Sequence, residues 1–535
     1  MKRSPSPPLE PEGSAAQQEY LLHLPLLVQK EVELLASGRR PALRAALRNL
    51  VPFLSGWFIA RELSDPRSSS TPAPARRTVL ARVFGRSVFP ELRSALKRVV
   101  SKVEPQGGLH PSPLPPAVLL CVSLQPNSTR AFLPVARELG AELVCFLLDP
   151  ADLDSQQQVR DAGVQFFCLP HVGGSHELLE LAENAASIAD LVGTSRLVAL
   201  VEHCQGPHSS ALGRGQLRRL QRAVSWQLIR GVSFAARLEQ ALKQLAPRQI
   251  LYITHRALID EVLRHRPEIE RRIFYLQGIV PPVPPIFTPL HVDLAIAGSA
   301  LDAPYLQRCG VSEQQMLLCG YPDYDGLGEL NREVCARELT LKYSLAGGRP
   351  LVVFTSQYKT SAFPDWAREL QLETVVETAR QRPDLFFILK PHPRLEMFKG
   401  DWLTTLPENV AVEQKLPALR LLAGASVTVT YWSTTALESV LLGTPLVQLN
   451  ATGLPDYFPL VTELGGRAAR DVQSLSANIS AALSEQGKEC FVRARQRWLS
   501  EHRIVLDQRA ASRVATHLRG FLLSPNSLTW LRSEP

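Results

Sequence analysis

Several stretches of this chain are apolar at nearly every position rather than at every second one, and that limits what it can become. AVLLCVSL (117–124), ELVCFLL (142–148), LVVFTSQ (351–357) and LFFILKPHPR (385–394) are of this kind. A strand with one wet face alternates, whereas a continuous apolar run needs cover on both faces, as in a parallel sheet clad with helices. Helical stretches such as AFLPVAREL separate the runs, and QILYITH, IFYLQGIV, VDLAIAGS and QMLLCGYPDYDG continue the rhythm. Alternating strands and helices imply parallel sheets with right-handed crossovers. A second series fills 349 to about 485. The expected fold is α/β, with two Rossmann-like domains facing across a cleft and joined near Tyr324 to Gly348.

The N-terminal part reads differently. Residues 1–16 are Pro- and Ser-rich and are expected to be a disordered tail. Helical periodicity then runs from Gln17 to Leu63, so 17–116 reads as a helical extension. The first Rossmann-like domain is assigned to 117–330, the second to 331–487, and C-terminal helices to 488–535. The 535 residues carry a formal net charge of +8. Between Arg76 and Val103 there are eight basic residues and one acid, Glu91, so 8 − 1 = +7 of that excess sits in one short stretch. Val79, Val83, Phe84, Leu92, Leu96 and Val99 recur among these arginines at roughly helical spacing. That pattern suits an anionic membrane surface, or simply a solvated helix face. No aromatic platform or recognised helix motif accompanies it, so nucleic acid is not expected as a partner.

No apolar run approaches the roughly 20 residues of a membrane helix. MKRSPSPPLEPEG lacks the apolar centre of a secretory signal. Eight scattered cysteines without a C-x-x-C pair read as reduced core thiols. A cytoplasmic protein is expected, peripheral at the inner membrane face if the basic stretch binds lipid. The histidines show no metal-ligand spacing, and no metal or cofactor is expected beyond an activated substrate. LQPNSTR after the first strand lacks G-x-G-x-x-G, which argues against a nicotinamide enzyme.

Polar motifs stand where the second set of strands ends. LVVF stops at Thr355, Ser356 and Gln357. LFFIL runs into Lys390, Pro391, His392 and Pro393, and SVTVTYW breaks at Ser433, Thr434 and Thr435 to begin a helix. Ligands of open α/β sheets sit outside the carboxyl ends of the strands. Hydroxyls and N–H groups opening a helix there can hold an anion, and a lysine and a histidine add charge and hydrogen bonds for phosphate. Each motif also has a plainer account. Ser and Thr cap helices without any ligand, an early-turn Glu438 complements the helix dipole, and a His-Pro dipeptide is a common turn.

The pairing of KPHP with a later S-T-T and the helix ALESVLLGTPLV resembles nucleotide-sugar glycosyltransferases of the GT-B fold. It is most like bacterial capsule polysaccharide enzymes, including polysialyltransferase-like proteins, and CDP-glycerol glycerophosphotransferases. VDLAIAGSALDAPYLQRCGVSEQQMLLCGYPDYD also resembles the first-domain exit of those enzymes and of UDP-sugar 2-epimerases. The resemblance covers about Ala117 to Leu483. It implies that Lys390 and His392 contact the diphosphate or leaving phosphate, and that Ser433, Thr434 and Thr435 bind phosphate. It further implies that Glu438 accepts a ribose hydroxyl, and that Ser356 and Gln357 touch phosphate or base. Gly443 and Pro445 look structural. Where the family has a glutamine-histidine-glycine turn, this chain has only Gln277 and Gly278. The family's acidic pair is echoed loosely by Asp323-Tyr324-Asp325-Gly326.

The implied reaction moves a sugar or glycerol-phosphate-type group from a nucleotide-activated donor to a glycan or polyol-phosphate acceptor, in surface polysaccharide synthesis. His392 would act at the leaving phosphate, and His255, at the end of QILYITH, is the candidate base. A UDP-sugar 2-epimerase-like enzyme and a non-catalytic nucleotide-binding or scaffold protein are the alternatives.

Overall fold

The structure is a computed structural model. It describes residues 113–170, 227, 231, 234–235, 237–253, 256–278, 290–357, 363, 365–392, 405–431, 433–454, 456 and 460–523. The basic stretch 76–103, the N-terminal tail and extension to 112, most of 171–236, and His255 lie outside the described residues.

Two separate parallel sheets form. The first contains β1 (Leu119–Val122), β2 (Val144–Leu148), β3 (Gln165–Cys168), β4 (Gln249–Tyr252), β5 (Arg271–Tyr275), β6 (Leu294–Ala297) and β7 (Met316–Leu318), in the order β3-β2-β1-β4-β5-β6-β7. The second contains β8 (Leu351–Thr355), β9 (Phe386–Lys390), β10 (Val410–Val412), β11 (Val427–Thr430) and β12 (Leu446–Gln448), in the order β10-β9-β8-β11-β12. The expected α/β architecture of two Rossmann-like domains is what the chain adopts.

The continuous apolar runs follow from a core on each side of each sheet. Successive side chains of a strand point to opposite faces. Leu120, Val122, Ile250 and Tyr252 enter one core of the first sheet, while Leu119, Cys121, Leu251 and Ile273 enter the other. In the second sheet Val352, Phe354 and Phe387 face one core, and Leu351, Val353 and Phe386 its opposite. Each such side chain contributes roughly 1.5–3 kcal/mol on burial, so no position in these strands tolerates a polar residue cheaply.

Helices cover the sheets. On the first lie α1 (Pro126–Leu139), α2 (Leu153–Asp161), α3 (Arg256–Arg264) and α4 (Ala303–Arg308). On the second lie α5 (Arg332–Lys342), α6 (Asp365–Gln381), α7 (Ala418–Gly424), α8 (Thr434–Leu442), α9 (Leu460–Glu463) and α10 (Val472–Leu483), followed by α11 (Glu485–Glu501). The last helix, α12 (Ala510–Leu523), returns to the first domain, where Val514, Ala515, Leu518 and Phe521 share a core with Phe132 of α1. The chain therefore crosses between domains twice: through the 3-10 segment Pro322–Glu329 and again between α11 and α12. Among the described residues no helix is long and apolar enough to cross a membrane, and no cysteine is paired. Burial pushes the Cys145 and Cys319 thiols up to about 12, so both remain protonated packing groups.

Candidate nucleotide site at the domain junction

Three strand ends of the second sheet are tied together by short polar contacts. The hydroxyls of Thr355, closing β8, and Thr435, in the first turn of α8, lie 2.7 Å apart. Ser356 N donates to Lys390 O at 3.0 Å, and His392 N donates to Ser356 Oγ at 3.1 Å. The 355–357, 390–392 and 433–435 motifs thus share one edge of the sheet, with β8 in the middle. Two strand spacings make that edge about 10 Å wide, suitable for a diphosphate and its first attached groups.

The α8 start is built as its sequence requires. Ser433 is extended (φ −86°, ψ 155°), and its Oγ accepts from Thr435 N at 3.3 Å. The capping role is therefore real, and Thr434 stands exposed beside it. No acid occupies the first turn of α8 to offset the positive helix end. At the other end Gly443 takes φ 74°, a conformation that costs little only without a Cβ. Its N–H donates to Val440 O at 3.0 Å, and Thr444 N donates to Ser439 O at 2.9 Å.

Lys390 and Gln357 have further occupations. Lys390 is 7% exposed, and its Nζ donates to Gln414 O at 2.9 Å, away from β11. Burial lowers its pKa; nearby Glu413 opposes that shift and Lys342 adds to it. Glu413 organises this corner by accepting from Lys342 Nζ, Tyr343 Oη (2.5 Å), Lys415 N (2.7 Å) and Leu416 N (2.9 Å). Burial pushes its carboxyl upward, but those four donors prevail and hold it at about 2. Gln357 is buried, and its Oε1 lines a cavity of about 10 Å³ beside Phe363 and Tyr431, room for one water.

Glu438, one turn into α8, faces the first domain. The Tyr324 hydroxyl, on the segment leaving that domain, lies beside its carboxyl. Burial lifts Glu438 to about 7; Asp323 adds to the shift, while Arg130 and the nearby Tyr324 hydroxyl oppose it. Asp323 is raised to about 6, again chiefly by burial, with Arg130 and the nearby Gln277 amide acting against it. Gln277 is held in turn by Asn127 O, which accepts from its Nε2 at 2.8 Å, and by Ser128 Oγ, which donates to its Oε1 at 2.9 Å. Arg130 lies one turn into α1 after β1, as Glu438 lies one turn into α8 after β11. Their proximity brings the carboxyl ends of the two sheets face to face.

Of the residues marked in the sequence, Ser356, His392, Ser433, Thr434 and Thr435 gather at one edge, with Lys390 flanking and Glu438 turned to the junction. Arg130 and Tyr324 were missed. Arg130 could have been found by applying the strand-end rule to QPNSTR as well as to the second domain. Asp325, half of the loose acidic echo, is occupied elsewhere: its two oxygens accept from Ala510 N and Ala511 N at 2.9 and 2.8 Å, opening α12. Among the described residues no cluster of three His, Cys, Asp or Glu side chains is placed to hold a metal.

No family model matches this chain, and no curated protein matches its sequence. Among solved structures it is similar to UDP-GlcNAc 2-epimerase from Neisseria meningitidis bound to UDP-GlcNAc. That pair shares 12% identity at a TM-score of 0.46, over 75% of this chain and 99% of that one. A structure of Anabaena HepE in complex with UDP-glucose gives 13% identity and a TM-score of 0.46, covering 75% and 99% of the two chains. The glycotransferase of kitacinnamycin gives 16% and 0.44, covering 76% and 99%. Similarity at this level assigns no substrate.

Proposed function

We propose that this protein is a nucleotide-activated-donor transferase of the GT-B type, with the donor diphosphate lying along the edge from His392 through Ser356 to Ser433 and Thr435. The carrying observation is the pair of contacts that join the three strand ends, Thr355 to Thr435 and Ser356 to His392. Leaving-group charge would be stabilised by the α8 N-terminus, the hydroxyls of Ser433 and Thr434, and the Lys390 and His392 side chains. Glu438, beside Tyr324, would meet the ribose or the transferred group.

A base is needed to deprotonate an acceptor hydroxyl. Asp323 suits that role among the described residues: it is half-buried, near Gln277, and raised to about 6, within reach of neutral-pH chemistry. The acceptor proposed is a glycan or polyol phosphate, as in capsule-type polymer synthesis. A second reading, 2-epimerase-like chemistry, is favoured by one observation: Asp323 and Glu438 approach the same junction from opposite domains, both titrating near neutrality. Paired acids so tuned suit proton removal and return at a sugar carbon.

Thermal melts with CMP, CDP, UDP, UMP and GDP test the core of the proposal. A ligand at 100 times its Kd stabilises by about 2.7 kcal/mol. One nucleotide should raise the melting temperature, and Lys390→Ala and His392→Ala should each abolish that rise without unfolding the free protein. If both variants keep full nucleotide affinity, this site is wrongly assigned.

A further inference from the structure

A second cavity lies at the domain junction, bounded by both chain crossings. Its volume is 240 Å³, and Leu327, Leu330, Leu441 and Leu442 wall it, with Arg332 and Gln508 supplying polar edges. That is room for a cluster of waters or one small organic molecule. Its apolar walls make the organic molecule the better filling.

The charge around it points to an anion. Arg332 Nη1 donates to Gly443 O at 2.6 Å, and Arg495 donates to Val440 O and Leu441 O at 2.5 and 2.7 Å. Arg332 Nε also donates to Ala423 O at 3.3 Å. Both guanidiniums therefore sit at the negative end of α8, and of the two it is Arg332 that lines the cavity. Neither has a carboxylate partner within ion-pair distance among the described residues, and Arg495 feels the positive charge of Arg332. The one carboxylate in the lining, Asp325, is already taken by the α12 N–H groups. At the mouth the 503–508 crossing is strained: Arg503 and Gln508 have φ of 53° and 62° without being glycine. Gln508 is pressed so closely over Gly328 that a Cβ there would lie 1.9 Å from its Nε2. That crossing also leaves Val505 and Leu506, both in the lining, 52% and 41% exposed.

We infer that this cavity is a binding site for a small carboxylate with an apolar body, its carboxylate on Arg332 and its chain among the leucines. The inference does not rest on the nucleotide reading. Because α8 runs about 13 Å from Ser433 to Leu442, one helix has the phosphate edge at its start and this cavity at its end.

The test uses the full-length protein, with octanoate as probe, octylamine as the cationic control and acetate as the control lacking an apolar body. Calorimetry should show saturable one-to-one binding of octanoate and none of either control. Arg332→Gln should weaken it at least tenfold. Leu330→Trp, which fills the cavity without touching the guanidinium contacts, should abolish it in a protein of unchanged melting temperature. Absence of saturable octanoate binding overturns the inference. So does binding that octylamine matches, or that persists unchanged in Leu330→Trp.

Discussion

Tyr324 and Glu438 lie side by side, and through them the segment leaving the first domain meets the helix that opens the proposed phosphate edge of the second. A half-buried carboxyl without an ion-pair partner among the described residues is incompletely compensated, which is why burial dominates and Glu438 prefers its proton until about pH 7. The same contact gives domain closure and protonation a shared group.

That raised pKa has a definite sign for stability. The folded carboxyl titrates at about 7 against an ordinary value of 4.5. Its contribution is therefore fully present below pH 4.5 and is lost as pH rises through 7. At 1.36 kcal/mol per unit, the loss is about 3 kcal/mol. Asp323, raised from 3.8 to about 6, acts in the same direction. Glu438→Gln keeps the size and polarity of the side chain but cannot ionise, so it should gain on wild type steadily between pH 5 and pH 8 in thermal melts. Parallel curves for the two proteins would mean the carboxyl is not held neutral.

Glu413 makes the opposite case. Four donors hold it at about 2, so its stabilisation is present above pH 4.5 and disappears as pH falls through 2. Glu413→Ala removes the acceptor from Lys342, Tyr343 and two backbone N–H groups at once. Breaking a buried charged network costs about 3–5 kcal/mol, and denaturant unfolding at pH 7 should show a loss of that order. Lys390 is linked to the same loop through Gln414, so weaker nucleotide binding should accompany it. A change below 0.5 kcal/mol would show that the loop is held by other contacts.

Thr434 allows the capping and ligand roles of the α8 start to be separated. An acid in the first turn complements the helix dipole and stabilises by about 0.3–1 kcal/mol, while placing a negative charge where the donor diphosphate is proposed. Thr434→Glu should therefore melt at or slightly above the wild-type temperature yet lose the nucleotide-induced rise. Persistence of that rise would mean that no phosphate sits at this helix start.

The strands were legible because two cores per sheet leave no wet position, as in Leu119 to Val122. β10 was not, since an edge strand of three half-buried residues, Val410 to Val412, carries almost no pattern. A helix in the region of α12 was expected, but not its destination, which is fixed by contacts such as Asp325 to Ala510 across 185 positions. Strand-end hydroxyls were readable for the same local reason that they are there. The orientation of Lys390 toward Gln414, and the meeting of Tyr324 with Glu438, depend on long-range packing that no window of sequence contains.

Transferase and epimerase chemistry can be told apart by what happens at the sugar carbon. Proton removal and return next to the anomeric centre exchanges that hydrogen with solvent, whereas transfer leaves it in place. Incubation with UDP-N-acetylglucosamine in deuterium oxide, followed by NMR of the recovered sugar, should show no deuterium at carbon 2 if Asp323 serves an acceptor hydroxyl. Deuterium at that carbon, lost in both Asp323→Asn and Glu438→Gln, would replace the transferase reading with the epimerase one. Wild-type exchange should then be bell-shaped in pH. A base that must be ionised sets the acid limb near 6, and an acid that must keep its proton sets the alkaline limb near 7.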